Sequence, residues 1–166
     1  AQRHRSGRYI LSAQLIWLSC PEIASVAKPG QFAMVNCGQE CVLLRPLSIH
    51  QVEKDRIALH FNVWEDGKGI EWLARRQIGD GVGILDKPLG NGYWIPPESH
   101  KLLVMAGGIG IASLRFLVDE AITRGLAVTL LCGTPTKHRY HPERLPLDKI
   151  KLVTVTEDGS IGTKGF

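Results

Sequence analysis

The pattern of apolar runs changes near residue 98, and this change constrains the fold more than any other feature. Before it, short strand-like runs alternate with glycine and proline: YILSAQLIWLS, QFAMVNC, VLLRPLSIHQV, RIALHFNVW and GVGILDK. Runs of this length with turn signals between them are typical of an antiparallel barrel or sandwich. A short helix is predicted at residues 70–76, between the last two runs.

After residue 98 the runs lengthen and become continuous. LLVMA is uniformly apolar, as expected of a parallel strand covered on both faces, and glycines and a helical pattern over 111–124 follow it. Gly125 is a natural helix end. LAVTLLC and KLVTVT supply two further strands. The pattern predicts an all-β domain at 1–97 and an α/β domain with a parallel sheet at 98–166, incomplete at its C-terminus.

Composition excludes several classes of protein. The 166 residues are 44% hydrophobic, which is enough for a real core. Lys and Arg number 20 against 16 Asp and Glu, too mild and scattered an excess to predict nucleic-acid binding. No apolar run approaches the ~18 residues of a membrane helix. The four irregularly spaced cysteines indicate neither a disulfide framework nor a metal site, and fit reduced thiols in the cytoplasm.

Glycines follow the LLVMA strand where it meets the helix, in GGIGIAS from Gly107 to Ser113. Backbone amides at such a turn can approach a phosphate, although many α/β proteins use glycines there simply to turn tightly. Ser113 stands where the G-x-G-x-x-G fingerprint has its third glycine. The next strand ends at Cys132 and Gly133 with no acidic residue to hold a ribose. Both departures argue against an ordinary NAD-dehydrogenase fold.

A second glycine turn, GKGI at residues 67–70, opens the short helix of the first domain. Alone it would serve as a plain turn, but its amides could also receive a phosphate. Arg45 adds a planar guanidinium suited to phosphate oxygens. One candidate cradle in each domain, together with Arg45, predicts two dinucleotides that meet at a domain interface.

The run CVLLRPLSIH contains a charge and a proline, both of which weaken strand pairing. An edge strand would explain them without any ligand. However, Arg45, Pro46, Leu47 and Ser48 resemble the R-x-x-S flavin motif of the ferredoxin reductase superfamily. In that family a barrel binds FAD and a following ferredoxin-reductase-like, Rossmann-like domain binds a nicotinamide cofactor. We expect Pro46 to keep the strand clear of further pairing, so that flavin occupies the edge.

Six segments make the resemblance more specific than the superfamily. KPGQF, RPLS, GKG, PLGNG, GGIGIASL and TEDGSIG occur in the same order as in the electron-transfer subunits of type B dihydroorotate dehydrogenase, and span residues 28–166. The subunits of sulfide dehydrogenase and of NADH-dependent ferredoxin:NADP oxidoreductase look similar to these electron-transfer subunits. The resemblance therefore implies a flavoprotein oxidoreductase.

The resemblance also implies which residues bind the cofactors. Ser48 would act at the reactive edge of the flavin, and NADH would dock on the glycine turn of the second domain. The implied FAD contacts are Arg45, Pro46, Leu47, Ser48, Asn62, Val63, Trp64, Gly69 and Ile70, and the implied NAD contacts are Gly107, Gly108, Gly110, Ile111, Cys132 and Gly133. Val63 and Trp64 stand where the family commonly has a tyrosine and a basic residue, and Ile70 replaces a usual threonine.

The implied activity is hydride transfer from NADH to FAD. Electrons would then pass through an iron–sulfur cluster to a catalytic dihydroorotate dehydrogenase subunit, in a heterotetramer of pyrimidine biosynthesis. Cys37 and Cys41 are the only close cysteine pair, so we expect the cluster beyond residue 166 and no iron in this chain. A related reductase with another acceptor, and a cofactor-free regulatory domain of the same fold, are alternatives. The scattered histidines, His50 and His60 among them, are expected to have ordinary surface or core roles.

Overall fold

The first part of the chain forms an antiparallel sheet. The computed structural model describes residues 2–3, 9–139 and 145–165. Five strands pair in the order β1-β2-β5-β4-β3. Their bounds are β1 Gln2–Arg3, β2 Tyr9–Ser19, β3 Phe32–Val35, β4 Arg45–Glu53 and β5 Arg56–Trp64. Two short helices, α1 Pro21–Ala24 and α2 Lys68–Ala74, lie among them, and α2 confirms the predicted short helix with slightly earlier bounds.

The core of this sheet comes from apolar residues on its inward face and from the helices that cover them. Ile49, Ile57 and Leu59 are fully buried, together with Ile23 of α1 and Leu73 of α2. Alternation places every second side chain of a strand on one face. The two helices therefore close over the inward face of the sheet.

Strand β4 changes partner along its length. Residues 45–48 pair with β3, Phe32 lying opposite Ser48 and Val35 opposite Arg45, whereas pairing with β5 begins only at Ile49. Among the described strands, residues 45–48 therefore pair on one side only, which confirms the predicted edge position of this segment, while flavin at that edge stays a prediction. Pro46 lies opposite Met34 of β3 and leaves pairing open only on the side toward β5.

The run GVGILDK does not form a regular strand. Within this run, only Ile84 makes a bridge, to Val35. Just after the run, Leu89 makes a bridge to Phe32. Gly81, Gly83 and a following proline weaken a strand here, because glycine costs entropy in a ladder and proline lacks a donor. The segment continues the antiparallel sheet past β3 by isolated bridges.

The described residues of the second part form a parallel sheet packed against a helix. Its strands are β6 Lys101–Gly107, β7 Ala127–Thr134, β8 Ile150–Thr156 and β9 Thr163–Lys164, in that order. Helix α3 spans Ile111–Thr123 and follows a 3-10 turn at Gly108–Gly110. It ends before Gly125, whose φ of 79° favours glycine. These elements confirm the predicted strand–helix–strand order.

Only one face of this sheet is buried by the described residues. Val104 and Leu130 pack with Val118 and Ala121 of α3. Leu103 and Met105 point to the other face and are 62% and 67% exposed. The expectation that LLVMA is covered on both faces was therefore wrong for the part of the chain described here.

The two parts meet where α3 lies against β4. Phe116 of α3 packs against the core of the first sheet, and Ile95 packs into the core of the second. The domain boundary at residue 97 stays a prediction. Within the described ranges, every helix is too short and too polar to cross a membrane.

Candidate functional site

Arg45 and Gly69 lie side by side, although 24 residues separate them in sequence. A Cβ placed on Gly69 would lie 3.5 Å from Arg45 Nε and 3.0 Å from both the Cβ of Cys37 and the Sγ of Cys41. Only glycine fits there without displacing its neighbours. Gly69 is the second residue of α2, where backbone N–H groups lack partners within the helix. A guanidinium beside such amides fits a diphosphate group.

The local electrostatics follow from the same packing. Burial raises the pKa of the Cys37 thiol, and the positive charge of Arg45 partly opposes that rise. Arg45 Nη1 donates to the carbonyl oxygen of Leu43 at 3.1 Å, which orients the guanidinium. The cysteines next to Gly69 thus act as packing residues around a cationic corner.

The remaining residues of the RPLS segment face different surroundings. Pro46 is exposed, Ser48 is half-buried, and Leu47 is buried in the core of the first sheet. Because the Leu47 side chain faces the core, only its backbone is available to a cofactor. Pro46 and Ser48 lie on the opposite side of β4 from Leu47, as strand alternation requires.

The predicted Asn62, Val63 and Trp64 form the last part of β5. β4 and β5 are antiparallel, so residues before Ile49 on β4 and after Leu59 on β5 lie at the same end of the sheet. The carbonyl oxygen of Trp64 accepts the N–H of Gly67 at 3.0 Å, and this turn leads directly into α2. The end of β5, the start of α2 and the start of β4 therefore belong to one corner.

The glycine turn of the second domain is open. A Cβ at Gly107, Gly108 or Gly110 would meet no atom within 4 Å, and Gly108 has a φ of +52°. Ser113 Oγ donates to the carbonyl oxygen of Gly110 at 3.1 Å, so the serine in place of the third glycine closes the turn. Ile111, which begins α3, is half-buried. Space for a phosphate is present at the turn.

Cys132 and Gly133 lie next to this turn. They pair with Ala106 and Gly107 across neighbouring parallel strands, at the carboxyl ends where open α/β sheets bind ligands. Cys132 is buried, and burial raises its pKa to about 11. Its thiol therefore stays protonated and apolar at neutral pH.

Sequence reasoning missed two buried threonines at the same sheet edge. Thr134 and Thr156 end β7 and β8. Thr156 Oγ1 donates to the carbonyl oxygen of Ile161 at 2.7 Å, and Ser160 Oγ accepts the N–H of Lys137 at 2.8 Å. These bonds hold the TEDGSIG turn against the sheet edge. A polar residue closing an apolar strand was the signal that could have found them.

One hydrogen bond joins the two candidate regions. His50 of β4 has its Nδ1 3.1 Å from the carbonyl oxygen of Ala112, the second residue of α3. His50 is two residues beyond Ser48, and Ala112 is two residues beyond Gly110. The RPLS segment and the glycine turn, one from each part of the chain, are therefore neighbours.

Comparison with known sequences gives the family context. No family model matches the chain. It is 40% identical over 150 residues to the electron-transfer subunit of dihydroorotate dehydrogenase B (NAD(+)) from Desulforamulus reducens, covering 87% of this chain and 56% of that protein. The same subunit from Clostridium acetobutylicum is 34% identical over 142 residues, covering 84% and 54%.

The chain is a relative of the electron-transfer subunits of dihydroorotate dehydrogenase B. The resemblance predicted from the six segments is confirmed by these matches. The chain spans about half the length of these electron-transfer subunits. Its residues 28–166 carry the segments on which the resemblance rests.

Solved structures agree on the fold. A structure of NADH-dependent reduced ferredoxin-NADP oxidoreductase matches with a TM-score of 0.79 at 23% identity, covering 95% of this chain and 59% of that one. A ferredoxin NADP+ reductase from Neisseria gonorrhoeae, with bound FAD and NADP, matches with a TM-score of 0.74 at 21% identity, covering 96% and 72%. The predicted fold class, an antiparallel barrel followed by a ferredoxin-reductase-like domain, is confirmed.

The residue-level assignments of the sequence stay predictions. The structure brings Arg45 next to Gly69 and Gly107 next to Gly133, and joins both regions through His50. In the described ranges, no group of three or more His, Cys, Asp or Glu side chains could hold a metal ion.

Proposed function

We propose that this chain is the flavin- and nicotinamide-binding part of a dihydroorotate dehydrogenase B electron-transfer subunit. Its activity would be that of an NADH-dependent flavoprotein oxidoreductase. The observation that carries the proposal is that each domain has one cradle: Arg45 with Gly69 in the antiparallel domain, and the open glycine turn in the parallel domain. The His50–Ala112 bond joins β4, the strand of Arg45 and Ser48, to the first turn of the helix that follows the glycine turn.

FAD fits the first cradle. Arg45 and the backbone amides of Gly69 and Ile70 would hold its diphosphate, since a planar cation and helix-start amides both favour phosphate oxygens. Ser48 would donate a hydrogen bond to the flavin edge, and the segment from Asn62 to Trp64 would line it. When bound, FAD supplies the hydride acceptor and the route for single electrons.

NADH fits the second cradle. Gly107, Gly108, Gly110 and Ile111 would bind its diphosphate, because they combine open space with the amides that begin α3. Cys132 and Gly133 would lie beside the nicotinamide, where the protonated, buried thiol keeps the surface apolar. The residues thus position and desolvate the reactants and leave the redox chemistry to the cofactors.

The relatives' name, an electron-transfer subunit, supports a catalytic partner subunit, and the family resemblance implies the rest of the proposed assembly. Electrons would leave through an iron–sulfur cluster to a catalytic dihydroorotate dehydrogenase subunit, in a heterotetramer of pyrimidine biosynthesis. The four free cysteines agree with a reducing, cytoplasmic location. NADH is proposed over NADPH because the related subunits carry NAD(+) in their name.

The test is the visible absorption spectrum of the full-length protein, recorded before and after anaerobic addition of NADH. A flavin band near ~450 nm that bleaches, beside broad iron–sulfur absorption, supports the proposal. A protein that stays colourless after incubation with FAD contradicts it and favours a cofactor-free regulatory domain. Bleaching without iron–sulfur absorption favours a related reductase with another acceptor.

Arg45 offers a matched pair of variants. Arg45→Lys keeps the charge but loses the planar fork, and Arg45→Ala loses both. We expect retained FAD to fall from wild type to Arg45→Lys to Arg45→Ala, measured as flavin released per mole of folded protein. Equal retention by all three proteins would remove Arg45 from the flavin site.

A further inference from the structure

Strand β4 contains an irregularity at His50. Ile49 pairs with Leu59 of β5 and Gln51 pairs with Ala58, so His50 is an extra residue between two successive pairs. Such a bulge bends a strand and re-aims the side chain at the extra position. The bulge also lies where the partner of β4 changes from β3, for residues 45–48, to β5, from Ile49 onward.

The re-aimed imidazole crosses to the second domain. His50 is 2% exposed, and its Nδ1 lies 3.1 Å from the carbonyl oxygen of Ala112. A carbonyl only accepts, so Nδ1 carries the proton and donates. The ring of His60, on β5, meets the ring of His50 edge-on with centroids 5.0 Å apart. The donor is thus held from the barrel side by a second buried ring.

The acceptor belongs to the first turn of α3, directly after the glycine turn. A second bond between the same two elements, from Gln51 Nε2 to Asp119 Oδ2 at 3.1 Å, lies seven residues farther along α3. At 1.5 Å per residue that is about 10 Å from Ala112. The Gln51 bond lies at the body of the helix, whereas the His50 bond lies at the end that carries the glycines.

We propose that His50 is a positioning residue for hydride transfer between the two cofactors. Its Nδ1–H bond to Ala112 sets the place and orientation of the glycine turn relative to the strand that carries Ser48. The proposal rests on the function proposed above. Displacing a reactant by about 1 Å can cost on the order of a hundredfold in rate. Losing this interdomain bond should therefore slow hydride transfer by more than the strength of a single hydrogen bond would suggest.

Three variants separate positioning from packing. His50→Asn keeps an N–H donor close to the place of Nδ1, His50→Gln carries its donor one bond farther out, and His50→Leu fills similar space without a donor. The matched control is Gln51→Leu, which removes the Gln51–Asp119 bond between β4 and α3 but leaves the first turn of α3 untouched.

The experiment uses full-length, FAD-loaded protein mixed anaerobically with NADH. The limiting rate of flavin bleaching and the NADH Kd come from stopped-flow traces. Hydrogen exchange of the amides of residues 108–113 is measured without NADH. We expect His50→Leu and His50→Gln to bleach about tenfold slower or more, with faster exchange in that turn and wild-type flavin content. His50→Asn should recover most of the rate, and Gln51→Leu should stay within about twofold of wild type.

Each outcome decides the proposal. If His50→Leu does not fold, the comparison of His50→Asn with His50→Gln carries the test, because both are polar and differ in where the donor lies. Equal bleaching rates and equal exchange in wild type and all His50 variants overturn the positioning role. A wild-type protein that binds FAD but is not bleached by NADH overturns the proposed function, and the positioning role with it.

Discussion

The two sheets of this molecule bury their residues differently. In the antiparallel sheet, Leu59 and its neighbours are fully enclosed by strands and by two short helices. In the parallel sheet, α3 covers one face, and Leu103 and Met105 lie exposed on the other. Apolar composition is similar in both, so composition alone does not predict burial.

The comparison shows where the candidate site can be both rigid and open. The first cradle is set in a filled core, with Gly69 against two cysteines. The second cradle follows a strand that is covered on one side, and its glycines face open space. A tightly held cofactor suits the first environment, and a nucleotide that must bind and leave suits the second.

The largest effect should come from a matched pair of leucines. Leu59→Ala removes a fully buried side chain and should lower the free energy of unfolding by about 2–5 kcal/mol. Leu103→Ala, on the exposed face, should change it by no more than about 0.5 kcal/mol. Urea denaturation followed by circular dichroism measures both. A loss above about 2 kcal/mol for Leu103→Ala would show that its face is covered in solution.

A pair of glycines extends the comparison to the cradles. Gly69→Ala places a methyl 3.0 Å from both Cys37 and Cys41, and should cost about 1–3 kcal/mol of stability and reduce bound FAD. The methyl group of Gly110→Ala would meet no atom within 4 Å, and the φ of −55° at this position suits alanine. It should leave stability and FAD content unchanged and weaken only NADH binding. An unaltered NADH Kd for Gly110→Ala would remove that glycine from the nucleotide site.

Local pattern was sufficient to predict much of the fold. YILSAQLIWLS forms a strand with the expected bounds, and the helix that follows GGIG ends just before Gly125 as expected. These elements depend on periodicity and on glycine at a helix end, which are visible within a short window. GVGILDK failed because two glycines and a following proline outweigh its apolar residues.

Features that depend on contacts between distant segments could not be predicted from local sequence pattern. Residues 45–48 pair with β3, so the partner of Pro46 could not be inferred from its own segment. The exposure of Met105 depends on what covers the sheet. The bulge at His50 is a one-residue difference in register between two strands, and no local sequence signal marks it. The residue types of the site were predictable, but the bond that joins its halves was not.

The two domains should also differ in their response to alkaline pH. Burial raises the pKa of Cys132 from 9.0 to about 11, whereas Arg45 partly opposes the rise at Cys37. Between about pH 9 and 11 the unfolded chain loses the Cys132 proton first, so stability falls as pH rises, by about 3 kcal/mol in total. Below pH 9 this contribution is fully present.

Denaturation midpoints at pH 8.5 and 10.5 measure the alkaline loss. Other groups titrate in this range, so the informative quantity is the difference between wild type and Cys132→Ala, which should lose less stability as the pH rises. Cys37→Ala is the control and should flatten the pH dependence less. An equal slope for wild type and Cys132→Ala would mean that the Cys132 thiolate is tolerated in the folded protein.

The smallest effects should come from charges, and they distinguish the domain interface from the barrel surface. Asp119 accepts from Arg115 at 2.9 Å and from Gln51 at 3.1 Å, through different oxygens. Asp119→Asn leaves one accepting oxygen for two donors and should cost about 1 kcal/mol. Glu53→Gln breaks an exposed pair with Arg56 and should cost about 0.5 kcal/mol or less.

Salt separates these two cases further. High ionic strength should erase the effect of Glu53→Gln, because exposed charges are screened. It should leave most of the effect of Asp119→Asn, whose two bonds are half-buried, one within α3 to Arg115 and one to Gln51 of β4. Denaturation of both variants at low and at about 1 M salt makes the measurement. If the cost of Asp119→Asn disappears with salt, the contact between α3 and β4 is open to water. The two domains would then be held together by Phe116 and the His50 bond rather than by this charge.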